Sequence, residues 1–274
     1  MSRVVIVIQF NDAYFKFALT LLRSLETYAK NAIKIAYTVN LKSDEIEALK
    51  NVSNELIVIN SRVKFLRGRL LRNYMANRKV EVFMDAIAKS AHTATQPQSH
   101  TAFDDVYIML DTDLLLRAPI ENLLNKVCEN RVGLVYRGAA FGFHVKFNSS
   151  VVVVSGDGVS LIEEWKRQMK YRWVIFSTNE KLTWLDILKK KKKGCPKPLY
   201  VRRGKWFWDQ ITLYEAVQKL GVNYSNLEAD KFINSNFDSD AVIWSGHNEK
   251  KNIVYEKFIE ELNQIQSSQF GWKD

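Results

Sequence analysis

The chain has 274 residues, 47% of them hydrophobic and 12% aromatic, with only 11 Gly and 4 Pro. That composition excludes a disordered or fibrous polymer, and the length is ample for a large buried core. Forty Lys and Arg against thirty Asp and Glu leave a formal charge of +10, which suits nucleic acid, a membrane surface or an anionic small molecule as partner.

In chain order, Met1-Ser2-Arg3 passes straight into the apolar run Val4–Gln9, which predicts a buried opening strand and no secretory leader. After Asn11-Asp12, a natural cap, the apolar residues Tyr14, Phe17, Ala18, Leu21, Leu22 and Leu25 recur at helical spacing. Ile33–Val39 is expected as a second strand, residues 44–51 as a short helix opened by Ser43, and Leu56–Ile59 as a third strand. Strand and helix in alternation predict a parallel sheet with helices on its faces. Arg67–Arg78 is basic and expected to be helical in part, Val80–Ala91 forms a separate amphipathic helix, and His92–Phe103 an exposed loop. Val106–Leu110 follows as a strand, then a helix from Ile120 to Glu129 and strands at Gly133–Tyr136 and Ser149–Val154. Helices are expected at Leu161–Tyr171, Phe207–Leu220 and Val254–Ile265. No run of apolar residues approaches the roughly 20 needed to span a bilayer, so no membrane helix is expected. Cys128 and Cys195 are too few for a disulfide framework or a zinc site, and a reducing cytoplasm is the expected compartment. The unbroken lysine run Lys189–Lys193 belongs on a solvated loop, and its functional reading is contact with anionic lipid at the inner membrane surface or with an anionic acceptor.

Asp111-Thr112-Asp113 carries the most information. It directly follows the apolar run Val106–Leu110 and directly precedes Leu114-Leu115-Leu116. Taken as an extended segment, it points both carboxylates the same way, with α-carbons about 6–7 Å apart. Aspartates between apolar blocks are costly unless something cationic satisfies them, and two hard oxygen donors that leave coordination positions open suit Mn²⁺ or Mg²⁺ shared with a diphosphate. The competing reading of such a pair is a turn or a helix cap. In an open α/β sheet the ligand crevice lies beyond the carboxyl ends of the strands, which puts Gln9-Phe10-Asn11-Asp12 and Asp111-Thr112-Asp113 in reach of one ligand.

These motifs, in this order, resemble the nucleotide-sugar glycosyltransferases of the GT-A fold, and in particular family 8, which includes glycogenin and lipopolysaccharide galactosyltransferases. The resemblance implies a single Rossmann-like α/β domain with a mixed, mostly parallel sheet, residues 1–116 forming the nucleotide-binding half and 117–274 the half for donor sugar and acceptor. It implies transfer of a sugar from a nucleoside-diphosphate sugar, normally a uridine one, to a hydroxyl of a glycan, lipid-linked or protein acceptor. By that resemblance Gln9, Phe10, Asn11 and Tyr14 line the nucleotide pocket, Tyr14 having a core role as its alternative. Arg78 or Lys79, on the helix before the metal motif, reaches the donor. Asp111 and Asp113 hold the metal, and Thr112 lies at the donor. Asn148 and Ser149 match the strand that contacts the donor sugar, although Ser150 stands where the family has Gly. Asp209 binds sugar hydroxyls, and Gln210 sits beside the anomeric carbon. His247 and Lys250, within Trp244–Lys250, resemble the third metal ligand and a diphosphate lysine, with Gly246 and His247 in altered order. Trp206 and Trp208, with Phe207, Trp173 and Trp184, suit stacking on sugar faces or packing in the core. Family 8 enzymes retain anomeric configuration; an inverting enzyme would need a general base, for which Asp209 is the candidate.

Two other readings have their own signals. A haloacid-dehalogenase-type phosphatase also places Asp-x-Asp after an apolar strand, with the first Asp as nucleophile. A nucleic-acid binder would account for the +10 charge, but no motif for it accompanies that charge, and none is expected as a partner.

Overall fold

The computed structural model describes residues 3–53, 55–64, 66, 68–93, 105–136, 147–179, 208–227, 232–234, 240–245 and 251–269. Strand and helix alternate from the start: β1 (Val4–Asn11), α1 (Phe15–Tyr28), β2 (Ile33–Val39), α2 (Ser43–Val52), β3 (Leu56–Ser61) and α3 (Gly68–Thr93). There follow β4 (Val106–Leu110), β5 (Leu114–Leu116), α4 (Glu121–Val127), β6 (Val132–Tyr136), β7 (Phe147–Ser155), α5 (Val159–Asn179) and α6 (Trp208–Leu220). The last elements are β8 (Ser225–Asn226), β9 (Ile233–Asn234), β10 (Ile243–Ser245) and α7 (Lys251–Gln269).

Seven strands form one sheet in the order β3-β2-β1-β4-β7-β6-β8. β1 to β4 run parallel, β7 is antiparallel to both of its neighbours, and β6 pairs in parallel with β8. The central strands read as unbroken apolar runs because both of their faces are covered. In β1, Ile6, Ile8 and Phe10 enter the core beneath α1, whereas Val5 and Val7 enter the core shared with α3, α5 and α6. β4 divides in the same way, Ile108 and Leu110 against Tyr107 and Met109. Two apolar faces per strand, each sealed by helices, hold the carboxyl ends of β1 and β4 side by side.

Three findings correct the sequence expectations. Residues 68–93 form one helix of 26 residues, where a basic segment and a separate helix were expected; the segment after Gly68 contains no further Gly or Pro to break it. The strand carrying the aspartates stops at Leu110, and Asp111-Thr112-Asp113 is a turn that takes the chain out of the large sheet. β5 then pairs antiparallel with β10, which pairs in parallel with β9, so the leucines after the motif belong to a second, three-stranded sheet. That sheet and α7 enclose a small core of Leu115, Trp244, Tyr255, Phe258 and Leu262. Among the described residues, no helix is long and apolar enough to cross a membrane.

Candidate active site

A cleft of about 170 Å³ opens where β1 and β4 end, and it is walled by the middle of α3, the start of β7 and the first turn of α6. Gln9, Phe10, Asn11 and Tyr14 line it from β1 and the turn that follows, and Asp111, Thr112 and Asp113 from the end of β4. Lys79, Ser149, Asp209 and Gln210 complete the lining among the residues expected from sequence. Residues remote in the chain therefore converge on one opening, as the carboxyl-end rule for open sheets requires.

The two carboxylates reach the cleft by a route other than alternation along a strand. The Asp111 amide donates to the carbonyl of Ser150 at 2.8 Å, so β7 pins the chain at the point where it leaves the sheet. The Tyr255 hydroxyl of α7 lies 3.5 Å from the Thr112 carbonyl. Burial and the nearby Asp113 carboxylate both push the Tyr255 hydroxyl well above the ordinary phenol range. The hydroxyl stays protonated and keeps its donor role.

Lys79 links the Asp111-Thr112-Asp113 turn to α6. Its ammonium donates to Asp111 Oδ1 at 2.5 Å and lies 3.4 Å from Ser149 Oγ, while Ser149 donates to Asp209 Oδ2 at 2.5 Å. Asp209 is 6% exposed. Burial holds its carboxyl above the usual range, opposed by the Lys79 charge and the Ser149 hydrogen bond. Trp165, fully buried on α5, fixes the first turn of α6 by donating to the Asp209 carbonyl at 2.8 Å and lying 3.1 Å from Thr212 Oγ1.

Asn11 Oδ1, Asp209 Oδ1 and Gln210 Oε1 are buried acceptors with no hydrogen-bond partner among the described residues, and all three side chains line the cleft. Buried acceptors of this kind are normally satisfied, and leaving one unpaired costs about 1–3 kcal/mol. Three in one cleft call for a ligand rich in hydroxyl or N–H donors.

Not every expected residue is brought to the cleft. Arg78, adjacent to Lys79, faces away: its guanidinium lies over the Tyr74 ring, donates to the Tyr74 hydroxyl at 2.6 Å and pairs with Glu81 at 3.6 Å. Asn148 is 5% exposed, and its Oδ1 accepts from the Ser150 amide at 3.1 Å, which braces the irregular pairing between β6 and β7. Phe10, by contrast, does line the cleft, although it is only 2% exposed and belongs to the core beneath α1. Met75 and Ala76, one turn before Lys79, line the cleft and were not foreseen; Gln9 Nε2 lies 3.9 Å from Met75 Sδ. Trp165 and Tyr255 were missed as well, since an isolated aromatic on a helix carries no sequence signal beyond core packing. His247, Lys250, Trp206, Phe207, Trp184 and Lys189–Lys193 lie outside the described residues, as do the side chains of Trp173 and Trp208.

Asp111 and Asp113 are the hard-oxygen donors of the cleft. Among the described residues no cluster of three or more metal-ligating side chains forms around them. Two carboxylates at the rim of an open cleft fit Mn²⁺ or Mg²⁺, ions that keep several positions for water or substrate phosphate.

No family model matches the sequence, and no curated protein sequence matches it. Solved structures do match. The apo form of the glycosyltransferase GlyE of Streptococcus pneumoniae TIGR4 superposes with a TM-score of 0.52 at 13% identity, over 98% of this chain and 64% of GlyE. The bifunctional glycosyltransferase WbbM in its apo structure gives a TM-score of 0.53 at 14% identity, over 95% of this chain and 50% of WbbM. The chain thus spans between half and two thirds of the length of these proteins, and it has their GT-A fold.

Proposed function

We propose that the chain is a metal-dependent glycosyltransferase that moves a sugar from a nucleoside-diphosphate sugar, with UDP as the nucleotide, to an acceptor hydroxyl with retention of configuration. The observation that carries the reading is the set of buried oxygens of Asn11, Asp209 and Gln210, which have no donor among the described residues, in the same cleft as the Asp111 and Asp113 carboxylates. A sugar nucleotide offers both halves of the complement: hydroxyl donors for the orphan oxygens and a diphosphate for the cation. The GT-A fold shared with GlyE and WbbM supports the same reading.

In this scheme Asp111 and Asp113 hold the metal, with His247 as third ligand and Lys250 on the phosphates. When bound, the dication neutralises charge on the departing diphosphate, commonly the largest catalytic contribution in such reactions. The protein's own groups do the rest. Asp209, kept in place by Ser149 and by the Trp165 bond to its carbonyl, accepts hydrogen bonds from donor-sugar hydroxyls. Gln210 sits beside the anomeric carbon, and Lys79 supplies positive charge between the two acidic segments. Residues 1–116 contribute the nucleotide side and 117–274 the sugar and acceptor side. The acceptor is a glycan, lipid-linked or protein hydroxyl, reached from the cytoplasmic side of the membrane, which Lys189–Lys193 touches peripherally.

A panel of nucleotide sugars incubated with the protein and Mn²⁺ tests this. Release of UDP from one member of the panel, lost on chelation, is the expected result. Phosphate release from simple phosphoesters, without any acceptor, would move the assignment to the phosphatase class.

A further inference from the structure

Before any ligand arrives, one of the two motif carboxylates already has a cation on it. Lys79 Nζ is 2.5 Å from Asp111 Oδ1, and its side chain is only 7% exposed. Its other neighbour, Ser149 Oγ at 3.4 Å, passes the contact on to Asp209. The lysine is thus largely buried at the cleft wall, between the Asp111 and Asp209 segments. A fixed ammonium at that place acts in two directions. It occupies an oxygen that a metal ion would use and repels a second cation, whereas it attracts an anion entering the cleft. The approach of a dication to Asp111 is what the lysine opposes.

We propose that Lys79 makes metal uptake conditional on the diphosphate: the empty cleft holds Mn²⁺ weakly, and Mn²⁺ and a nucleoside diphosphate bind together because the added negative charge offsets the lysine. The proposal rests on the transferase reading and adds an order of assembly to it. It also assigns adjacent residues different work, Lys79 at the metal site and Arg78 on the outer face of α3.

The test measures Mn²⁺ binding directly, by electron paramagnetic resonance of the free ion, on the full chain with and without UDP. Lys79→Gln keeps a polar side chain and removes the charge; Lys79→Arg keeps the charge. Lys79→Gln is expected to bind Mn²⁺ alone about tenfold tighter than the unsubstituted protein, and UDP then adds correspondingly less, since the coupling is reciprocal. Lys79→Arg is expected to behave as the parent does. Mn²⁺ affinity in the absence of UDP that is unchanged or weaker in a folded Lys79→Gln protein overturns the proposal. If that variant does not fold, the parent protein decides: Mn²⁺ affinity that UDP raises less than tenfold overturns the proposal, and a tenfold or larger gain supports it. Absence of Mn²⁺ binding by every form, with or without UDP, sinks the transferase reading and this proposal together. UDP-assisted binding with no effect of Lys79→Gln sinks this proposal alone.

Discussion

β4 has an aspartate at each end, and the two ends treat it in opposite ways. At the amino end Asp105, 2% exposed, is enclosed by protein: the Arg3 Nε donates to it at 3.1 Å, a second Arg3 nitrogen pairs with its other oxygen, and the Tyr107 hydroxyl lies 3.4 Å away. Arg3 also donates to the Ser90 carbonyl at 3.3 Å, and the Asp105 bond raises the guanidinium pKa further. No orphan oxygen accompanies this group among the described residues. At the carboxyl end Asp111 and Asp113 open onto a cleft whose other walls carry buried acceptors without donors among the described residues. A buried charge whose partners are all internal ties elements together; one surrounded by unmet hydrogen-bonding capacity marks where a ligand completes the structure.

The contrast can be broken most sharply at Asp113. Asp113→Ala is expected to lower turnover of the active nucleotide sugar by about 10³-fold or more, with melting temperature nearly unchanged, because under the proposed function it removes a metal ligand from an open rim. Steady-state kinetics beside a thermal melt decide it, and intact turnover removes Asp113 from the metal site.

Asp209 gives the next largest effect and adds a pH signature. Asp209→Asn is expected to lower kcat by about 10²–10³-fold. Because burial raises the folded-state pKa of Asp209 above its unfolded value, the native protein holds that proton more tightly than the unfolded chain. Stability from this group is therefore full below the ordinary carboxylate value and is lost as pH rises through the raised folded value. The Asn variant lacks that loss, so its melting temperature should gain on the parent's across that window and hold the gain above it. A melting difference that stays flat with pH would contradict the raised value.

The smallest effect on activity belongs to the closed end. Asp105→Ala leaves the half-buried Arg3 without its partner and is expected to cost about 2 kcal/mol, or about 4–8 °C in melting temperature. Activity per folded molecule should be unchanged. A variant equally stable but slow would erase the distinction between the two ends.

Much of this site was legible from residue order. Asp111 and Asp113 were found from their place after an apolar strand, Gln9 and Asn11 from the end of the first strand, and Asp209 from the family resemblance, and they do meet in one cleft. What misled was the assumption of an extended Asp-Thr-Asp segment: the carboxylates share the cleft because β4 ends and the chain turns into a second sheet, a break that Leu114-Leu115-Leu116 hides by being as apolar as β4. Arg78 and Lys79 were indistinguishable on paper. Neighbouring residues on a helix point about 100° apart, so the packing of α3 alone decides that Lys79 enters and Arg78 stays out. β5, β8, β9 and β10 span only two or three residues each, too few for a period to register, and exist through their partners.

By itself the sequence determined which segments are strands with two covered faces and which residue types stand at their ends, because unbroken apolar runs and carboxylate spacing are local properties. Only the tertiary structure decided that Lys79 lies on Asp111, that Ser149 reaches Asp209, and that three acceptors go without donors among the described residues. Those are relations among residues dozens of positions apart, set by how helices pack on the sheet, and no local pattern encodes them.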